Sequence, residues 1–358
     1  MSSWPRSLAL RTVGAGDVSL ARAADRGLDA GDVTRALHAA IEQGIDLVEV
    51  APEPDTEHLA GDALRSLRAR DRVLLATRVT AIVERSGAPT RDVLPERLPS
   101  RYVQDRVESS LRATRLEVLP LVQLELRPAY RTSSAWPELV DTCARLVREG
   151  KVLAWGAYVD RVVADEAPVI EQPRGDEMFL IGLPKPAAAA PAPDATARLL
   201  DEPWLASINT PFNLCERAAE SLVAPAREKE VAILARRPLA GGALAGELGP
   251  GVKLKPDDDR RAIDARTLER IAVGAAKLAA FTKREPPAAR SCDAAKLQLE
   301  RNVRSEDVVA STVAELALRY VLDRGAIAMP RLHRREHVAD ALAVTSAPPL
   351  AHALDIDL

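Results

Sequence analysis

The chain has 358 residues, of which 47% are hydrophobic and 28% are charged, and its formal net charge at pH 7 is -3. This length suits one long domain with a sizeable core, and aromatic residues at only 3% leave that core to Leu, Val and Ala. A chain without excess positive charge offers no electrostatic field for nucleic acid or anionic lipid. Because no apolar run is long enough to span a bilayer and the N-terminus lacks a signal-peptide pattern, we expect no membrane contact and a cytoplasmic protein.

The cysteines do not form a recognisable pattern. Cys143, Cys215 and Cys292 are far apart, odd in number and without CxxC spacing. Neither a disulfide framework nor a metal site is therefore predicted, and a reducing compartment is the simpler interpretation.

Short apolar runs rich in Val, Leu and Ile alternate with longer helical patterns, which is typical of β-α units that build a parallel sheet. A helix is predicted over residues 32–43, and the region around residues 300–325 reads mostly as helix. Seven strands are predicted over residues 47–50, 73–77, 119–124, 153–157, 205–208, 232–234 and 326–329. The predicted fold is α/β, a single (β/α)8 TIM-type barrel over residues 1–358.

Two segments are longer than compact β-α connections require. Residues 160–193, after the fifth strand, contain an apolar stretch followed by an Ala/Pro run, which is typical of a lid, a binding loop or a linker. Residues 284–304, near the seventh helix, are rich in charge and contain Pro286 and Pro287, which predicts a solvated insertion. Loops that follow barrel strands lie at the functional rim, so the first segment is a candidate contact surface for a protein partner.

Several motifs in fixed order carry a resemblance to a known family. They are GIDLVEVAPEP at 44–54, SLRATRL at 110–116, LVREGKVLAWG at 146–156 and ARRPLAGG at 235–242. In this order and spacing the chain resembles the aldo/keto reductases along nearly its whole length. The resemblance implies a β/α barrel that binds NADPH and reduces carbonyl compounds.

The four positions that carry the chemistry in this family are all replaced. Relatives use an Asp, a Tyr that donates the proton, a Lys and a His, and the matching residues here are Glu49, Pro54, Arg78 and Glu125. A proline has no ionisable group, and an arginine stays protonated and cannot relay a proton. The first hypothesis is therefore a pseudoenzyme, in which the barrel acts as a binding or subunit-type protein through its mouth and residues 160–193.

Two alternative hypotheses assign a catalytic reaction to the protein. In the first, an NADP-dependent oxidoreductase uses Tyr158, directly after the fifth strand, or Glu125 as an altered proton donor. Tyr130 and His58 could also donate a proton, but they are more simply interpreted as a rim tyrosine and a surface histidine. In the second, Glu49 and Glu125 flank Arg78 and run cofactor-free acid/base chemistry. The competing structural interpretation is a charge network in which Arg78 satisfies both carboxylates.

The positions that bind the cofactor in relatives are changed less than the four catalytic positions. Asn209 stands where a Gln bonds the nicotinamide amide, Arg236 where many members place an aromatic ring, and Tyr158 where a Ser contacts the same amide. Arg331 and Arg334 are predicted to meet a 2′-phosphate, and His337 to lie on the adenine side. The resemblance thus implies NADP as the cofactor, with weak or absent binding expected because several ligands are lost.

Overall fold

The computed structural model describes residues 12–82, 93–160, 196–248, 252–256, 258–263, 265–279 and 312–347, together with residues 8, 282 and 310. Its eight strands are β1 Ala15–Val18, β2 Leu47–Val50, β3 Leu74–Val79, β4 Leu119–Glu125, β5 Val152–Tyr158, β6 Leu205–Pro211, β7 Ala232–Arg236 and β8 Ile327–Met329. The strands are parallel and hydrogen-bonded in sequence order. The predicted (β/α)8 barrel is therefore confirmed.

Ten described helices surround the strands. They are α1 Leu20–Asp25, α2 Ala30–Glu42, α3 Pro54–Ser66, α4 Leu94–Arg97, α5 Ser100–Thr114, α6 Trp136–Arg148, α7 Glu220–Glu228, α8 Ala265–Ala279, α9 Val313–Asp323 and α10 Arg335–Ser346. The predicted helix over residues 32–43 corresponds to α2, which begins two residues earlier because Asp29 and Asp32 form a capping box. Among these helices, none has the length and apolar character needed to cross a bilayer.

The barrel closes where β1 meets β8. Val13 pairs with Ala328 in a parallel bridge, and Ala328 N donates to Thr12 O at 2.9 Å. The backbones approach so closely here that a Cβ on Gly16 would lie 2.3 Å from Met329 O. Only glycine fits this position, and such a short strand with a glycine inside it has no apolar run, which is why β1 was not predicted from the sequence.

The inward-facing residues change character along the strands. Side chains alternate between the two faces of a strand, so every second residue points into the barrel. On β3 these are Leu74, Ala76 and then Arg78, and on β7 they are Ala232, Leu234 and then Arg236. The N-terminal half of the barrel interior is thus apolar, and polar groups collect at the carboxyl ends of the strands.

The two predicted insertions fall almost entirely outside the described residues. Of residues 160–193 only Asp160 is described, and residues 284–304 are not described at all. The contact surface predicted for the first segment therefore stays a prediction, as does the assignment of the whole chain to one domain.

Candidate active site at the carboxyl ends of the strands

Arg78 is held inside the barrel mouth by two carboxylates. Its Nη2 lies 3.1 Å from Asp17 Oδ1, and its Nη1 lies 3.4 Å from Glu49 Oε1. The side chain is only 9% exposed. Burial opposes its charge, but Tyr158, Asp17 and Glu49 hold the pKa of Arg78 above its ordinary value. Arg78 is thus a fixed cation whose carboxylate partners are Asp17 and Glu49, whereas the predicted network paired it with Glu49 and Glu125.

Asp17 is the centre of this network, and the sequence did not reveal it. It lies on β1 with a left-handed φ of 47° and accepts hydrogen bonds from Arg331 Nε and Nη2 at 3.0 and 2.6 Å, as well as from Arg78. Arg22 Nε adds an ion pair at 3.3 Å. Burial alone would raise the pKa of Asp17, but Arg331, Arg78 and Arg22 together lower it to about 2. Asp17 therefore stays ionised.

Glu49 shares Arg78 with Asp17 but behaves in the opposite way. Its side chain is fully buried on β2, and its Oε2 has no hydrogen-bond partner. Burial raises the pKa of Glu49, and the charges of Arg78 and Arg236 with a hydrogen bond from Asn209 do not offset this. One carboxylate of the pair is thus stabilised as an anion, and the other is not.

Pro54, at the position of the family's tyrosine, is exposed and forms the first residue of α3. Proline suits this position because the first helical N–H needs no intrahelical partner. The preceding Glu53 accepts from Ser19 Oγ at 2.8 Å and from Thr56 Oγ1 at 2.7 Å, and Thr56 Oγ1 in turn accepts from Leu20 N at 3.0 Å. These bonds tie the loop after β1 to the loop after β2, and they provide no proton donor at residue 54.

Glu125, at the end of β4, is attached to the backbone rather than to the arginine. Its Oε2 accepts from Ala81 N at 3.0 Å, and burial raises the pKa of the carboxyl. The structure also places Tyr130 and His58, the two other side chains considered as proton donors. Tyr130 is buried in the core, and His58 lies 3.4 Å from Asp62 on the same partly exposed helix face.

Tyr158 ends β5 between two arginines. The Cζ of Arg78 lies 4.7 Å from the ring centroid and the Cζ of Arg236 lies 4.1 Å from it. Arg236 Nη1 also donates to Tyr158 Oη at 2.6 Å, and its Nη2 donates to Val159 O at 2.8 Å. Burial raises the pKa of Tyr158 despite the two cations, so the hydroxyl keeps its proton at neutral pH.

A cavity of about 660 Å³ opens from these residues toward α10. Its inner end is formed by Asp17, Tyr158 and Arg236, and its outer walls include Gly241, Gly242, His333 and His337. The two glycines have φ values of 69° and 99°, so the turn after β7 is left-handed and brings backbone to the cavity wall. The volume is within the range of small-molecule and cofactor sites.

Only some of the residues predicted to bind the cofactor line this cavity. Asn209 is fully buried, and its Nδ2 donates to Gln123 Oε1 at 3.2 Å. Arg331 lines the cavity but directs its guanidinium inward to Asp17. Arg334 is exposed at the residue before α10, and His337 lines the cavity 3.4 Å from Glu247. Their predicted roles toward a nucleotide stay predictions.

His333 is a further buried group that the sequence did not single out. It is 7% exposed, lines the cavity and shares a hydrogen bond with the guanidinium of Arg26. Burial, followed by the charges of Arg26 and Arg331, lowers the pKa of His333 to about 3. The imidazole is therefore neutral and accepts from Arg26, which keeps that arginine at the cavity wall.

The cavity fits the chemistry of a phosphorylated nucleotide. Six arginines line it together with six carboxylates, and arginine binds phosphate oxygens through paired N–H donors. The arginines are Arg22, Arg26, Arg236, Arg237, Arg260 and Arg331. The Nε of Arg236 is buried without a hydrogen-bond partner, so part of its donor capacity is unused. The lining thus contains arginines whose chemistry suits phosphate groups, whereas position 54 offers no proton donor.

Comparisons with known proteins agree with this architecture. The model of the aldo/keto reductase family matches residues 12–158 and 195–352. Over 232 residues the chain is 26% identical to the aldo-keto reductase YhdN of Bacillus subtilis, which corresponds to 63% of this chain and 57% of that protein. The chain therefore matches somewhat more than half the length of this relative.

Solved structures share the fold. The holo form of an aldo-keto reductase from Bacillus halodurans is 18% identical with a TM-score of 0.58, and covers 96% of this chain and 93% of its own. An aldo-keto reductase from Klebsiella pneumoniae in complex with NADPH is 19% identical with a TM-score of 0.53, covering 97% and 94%. Because the family model matches most of the sequence and the barrel carries its positions at the expected strand ends, this chain belongs to the aldo/keto reductase family.

Proposed function

We propose that this protein is a nucleotide-binding member of the aldo/keto reductase family that does not reduce carbonyl compounds. The observation that carries the proposal is that the side chains at the family's tyrosine and lysine positions provide no proton donor for a carbonyl oxygen. Arg78 is fixed between Asp17 and Glu49, and Pro54 has no proton to give. Hydride addition to a carbonyl builds negative charge on oxygen, and that charge requires a donor.

In this proposal NADP(H) is the ligand, and the 660 Å³ cavity is its site. A bound NADPH supplies a hydride in the relatives that carry out reduction. In this chain the surrounding residues bind and orient the nucleotide but do not deliver a proton. Its role is then that of a binding or subunit-type protein, and the partner predicted to contact residues 160–193 and the barrel mouth stays a prediction.

The proposal predicts a measurable stabilisation by NADPH. A ligand that binds the native state raises its stability by about 2.7 kcal/mol at a hundredfold excess over Kd, which corresponds to a Tm increase of roughly 4 °C for a protein of this size. Differential scanning fluorimetry and intrinsic Trp fluorescence, measured with increasing NADPH, test this directly. Adenosine alone serves as the control for non-specific effects. No shift at millimolar NADPH would refute nucleotide binding.

A second candidate function is favoured by the geometry of Tyr158. Its Oη accepts from Arg236, which leaves its own proton available to another acceptor in the cavity. An NADP-dependent oxidoreductase could use this hydroxyl in place of the missing donor. The cofactor-free acid/base hypothesis has less support, because Glu49 is fully buried and Glu125 is bound to Ala81 N.

A Tyr158→Phe variant distinguishes the two candidates. If the wild-type protein reduces an aldehyde with NADPH, this variant is expected to lower kcat by about 100-fold or more, since it removes the hydroxyl proton beside Arg236. Its affinity for NADPH should remain within about twofold. The measurement is steady-state turnover together with calorimetric binding. Unchanged turnover would exclude Tyr158 as the donor, and a wild-type rate of zero would leave the pseudoenzyme proposal in place.

A further inference from the structure

The inner end of the cavity carries an excess of positive charge. Three arginines line it, Arg22, Arg236 and Arg331, against the two lining carboxylates Asp17 and Glu49. Arg78 does not line the cavity but contacts both carboxylates. Arg78 is also the only ion-pair partner recorded among the described residues for Glu49. Even with both carboxylates ionised, the cations outnumber them.

The two carboxylates do not contribute equally to the balance. Asp17 remains an anion, but its charge is shared among three guanidinium groups. Glu49 is buried with one oxygen unpaired, and burial raises its pKa, which disfavours the ionised form.

Two more carboxylates face this region from the rim. Asp160 lies 3.8 Å from Arg236 but its side chain is 82% exposed, so solvent and salt screen its charge. Glu125 accepts from Ala81 N and has a raised pKa. Neither residue lines the cavity. The other lining carboxylates are Glu216, Glu247, Glu315 and Asp340, of which the first two lie within ion-pair distance of Arg237 and His337.

Tyr158 does not present a free ring for stacking. Arg78 and Arg236 lie over its ring at 4.7 and 4.1 Å from the centroid. The negative face of an aromatic ring is what attracts a cationic heterocycle, and here it already interacts with two guanidinium groups. A positively charged ring arriving at this end meets guanidinium groups, and an unpaired carboxylate oxygen there, Glu49 Oε2, is buried.

We propose that the inner end of the cavity selects its ligand by charge, so that the protein binds NADPH more tightly than NADP⁺. This inference rests on the proposed function, in which the nicotinamide end of the nucleotide lies at the strand ends. The reduced ring is neutral and the oxidised ring carries a positive charge. Like charges about 5 Å apart in a partly desolvated site repel by enough to weaken binding about tenfold or more.

The test is isothermal titration calorimetry with three probes at one low ionic strength. They are NADPH, NADP⁺ and 2′-phospho-ADP-ribose, which keeps the phosphates and the adenine but has no nicotinamide ring. NADP⁺ is expected to bind about tenfold more weakly than NADPH, and also more weakly than 2′-phospho-ADP-ribose. Equal Kd values for NADPH and NADP⁺ overturn the charge selection and leave nucleotide binding intact. Absence of binding by all three overturns the proposed function itself.

Two variants connect the selectivity to the arginines. Arg22→Met and Arg236→Met each remove one cation from the inner end, and the ratio of the two Kd values is expected to fall to about threefold or less. Arg22 is one-third exposed, so its variant should fold even if Arg236→Met does not. Arg227→Met removes a cation from the exposed face of α7 and should keep the wild-type ratio. A ratio unchanged in Arg22→Met and in any folded Arg236→Met overturns the inference.

Discussion

An Asp17→Asn variant is expected to lose about 3 kcal/mol of unfolding free energy at neutral pH. The substitution keeps the shape of the side chain but removes the anion that Arg22, Arg78 and Arg331 share. The largely buried guanidinium groups of Arg78 and Arg331 then lose the counter-charge of Asp17, and such a loss is much larger than that of a surface ion pair. Urea-induced unfolding followed by circular dichroism measures the change, with an unaltered m-value showing that both end states are preserved.

Glu49→Gln is the matched control, because Glu49 contacts the same arginine. Its raised pKa means that folding already disfavours its ionised form, so a neutral isostere should change the stability by less than about 1 kcal/mol or increase it. Asp105→Asn provides a surface reference, since Asp105 pairs with Arg101 at 4.0 Å with its side chain 64% exposed. If Asp17→Asn and Glu49→Gln destabilised the protein equally, Asp17 would not be the centre of the network.

The pH dependence of stability should separate the same two carboxyls. The pKa of Asp17 is about 2 in the folded protein against 3.8 in the unfolded chain, so its contribution of about 2 kcal/mol is present above pH 4 and is lost as the pH falls toward 2. Glu49 has the opposite sign. Because its folded pKa is raised, the folded state is favoured when Glu49 is protonated, and this advantage declines as the pH rises above 4.5. Asp17→Asn should flatten the acid limb of the stability curve.

The sequence predicted the barrel well because apolar periodicity reports on packing. The predicted strands nevertheless stop short at their carboxyl ends, at residues 77, 124, 157, 208 and 234, whereas β3 to β7 continue for one to three residues. The missing residues include Arg78, Glu125, Tyr158 and Arg236. A pattern based on hydrophobicity ends where inward-facing residues become polar, and in a barrel this is where the functional residues lie.

The network around Asp17 could not be predicted from local sequence. Asp17 stands between Gly16 and Val18 in a stretch that reads as a turn, and its partners Arg78 and Arg331 are 61 and 314 residues away along the chain. Resemblance to the family indicated the positions of Glu49, Arg78 and Glu125, and the structure places all three at strand ends. It did not indicate that Arg331 turns inward, because that orientation depends on the buried charge of Asp17.

The replaced catalytic residues lead to the second prediction, which concerns restoring the tyrosine at position 54. A Pro54→Tyr variant is expected to show no NADPH-dependent aldehyde reduction above the protein-free rate, even though it restores the family's proton donor. A tyrosine needs a neighbour that facilitates loss of its proton, and Arg78 cannot serve because its pKa is held above its ordinary value by Tyr158, Asp17 and Glu49. Glu125, bonded to Ala81 N, also does not replace the imidazole that orients a carbonyl in relatives. The measurement is NADPH oxidation with an aromatic aldehyde as substrate.

The companion to this variant restores all four positions through Glu49→Asp, Pro54→Tyr, Arg78→Lys and Glu125→His. It is expected to gain at least about 100-fold in rate over Pro54→Tyr alone, because donor, relay and orienting group then act together. Asp17 would retain Arg331 and Arg22 as counter-ions, so the mouth should remain folded, and Tm and NADPH binding serve as controls. Aldehyde reduction by the single variant would show that Pro54 alone prevents carbonyl reduction in the wild-type protein. It would also show that the Asp17–Arg78–Glu49 network is compatible with catalysis.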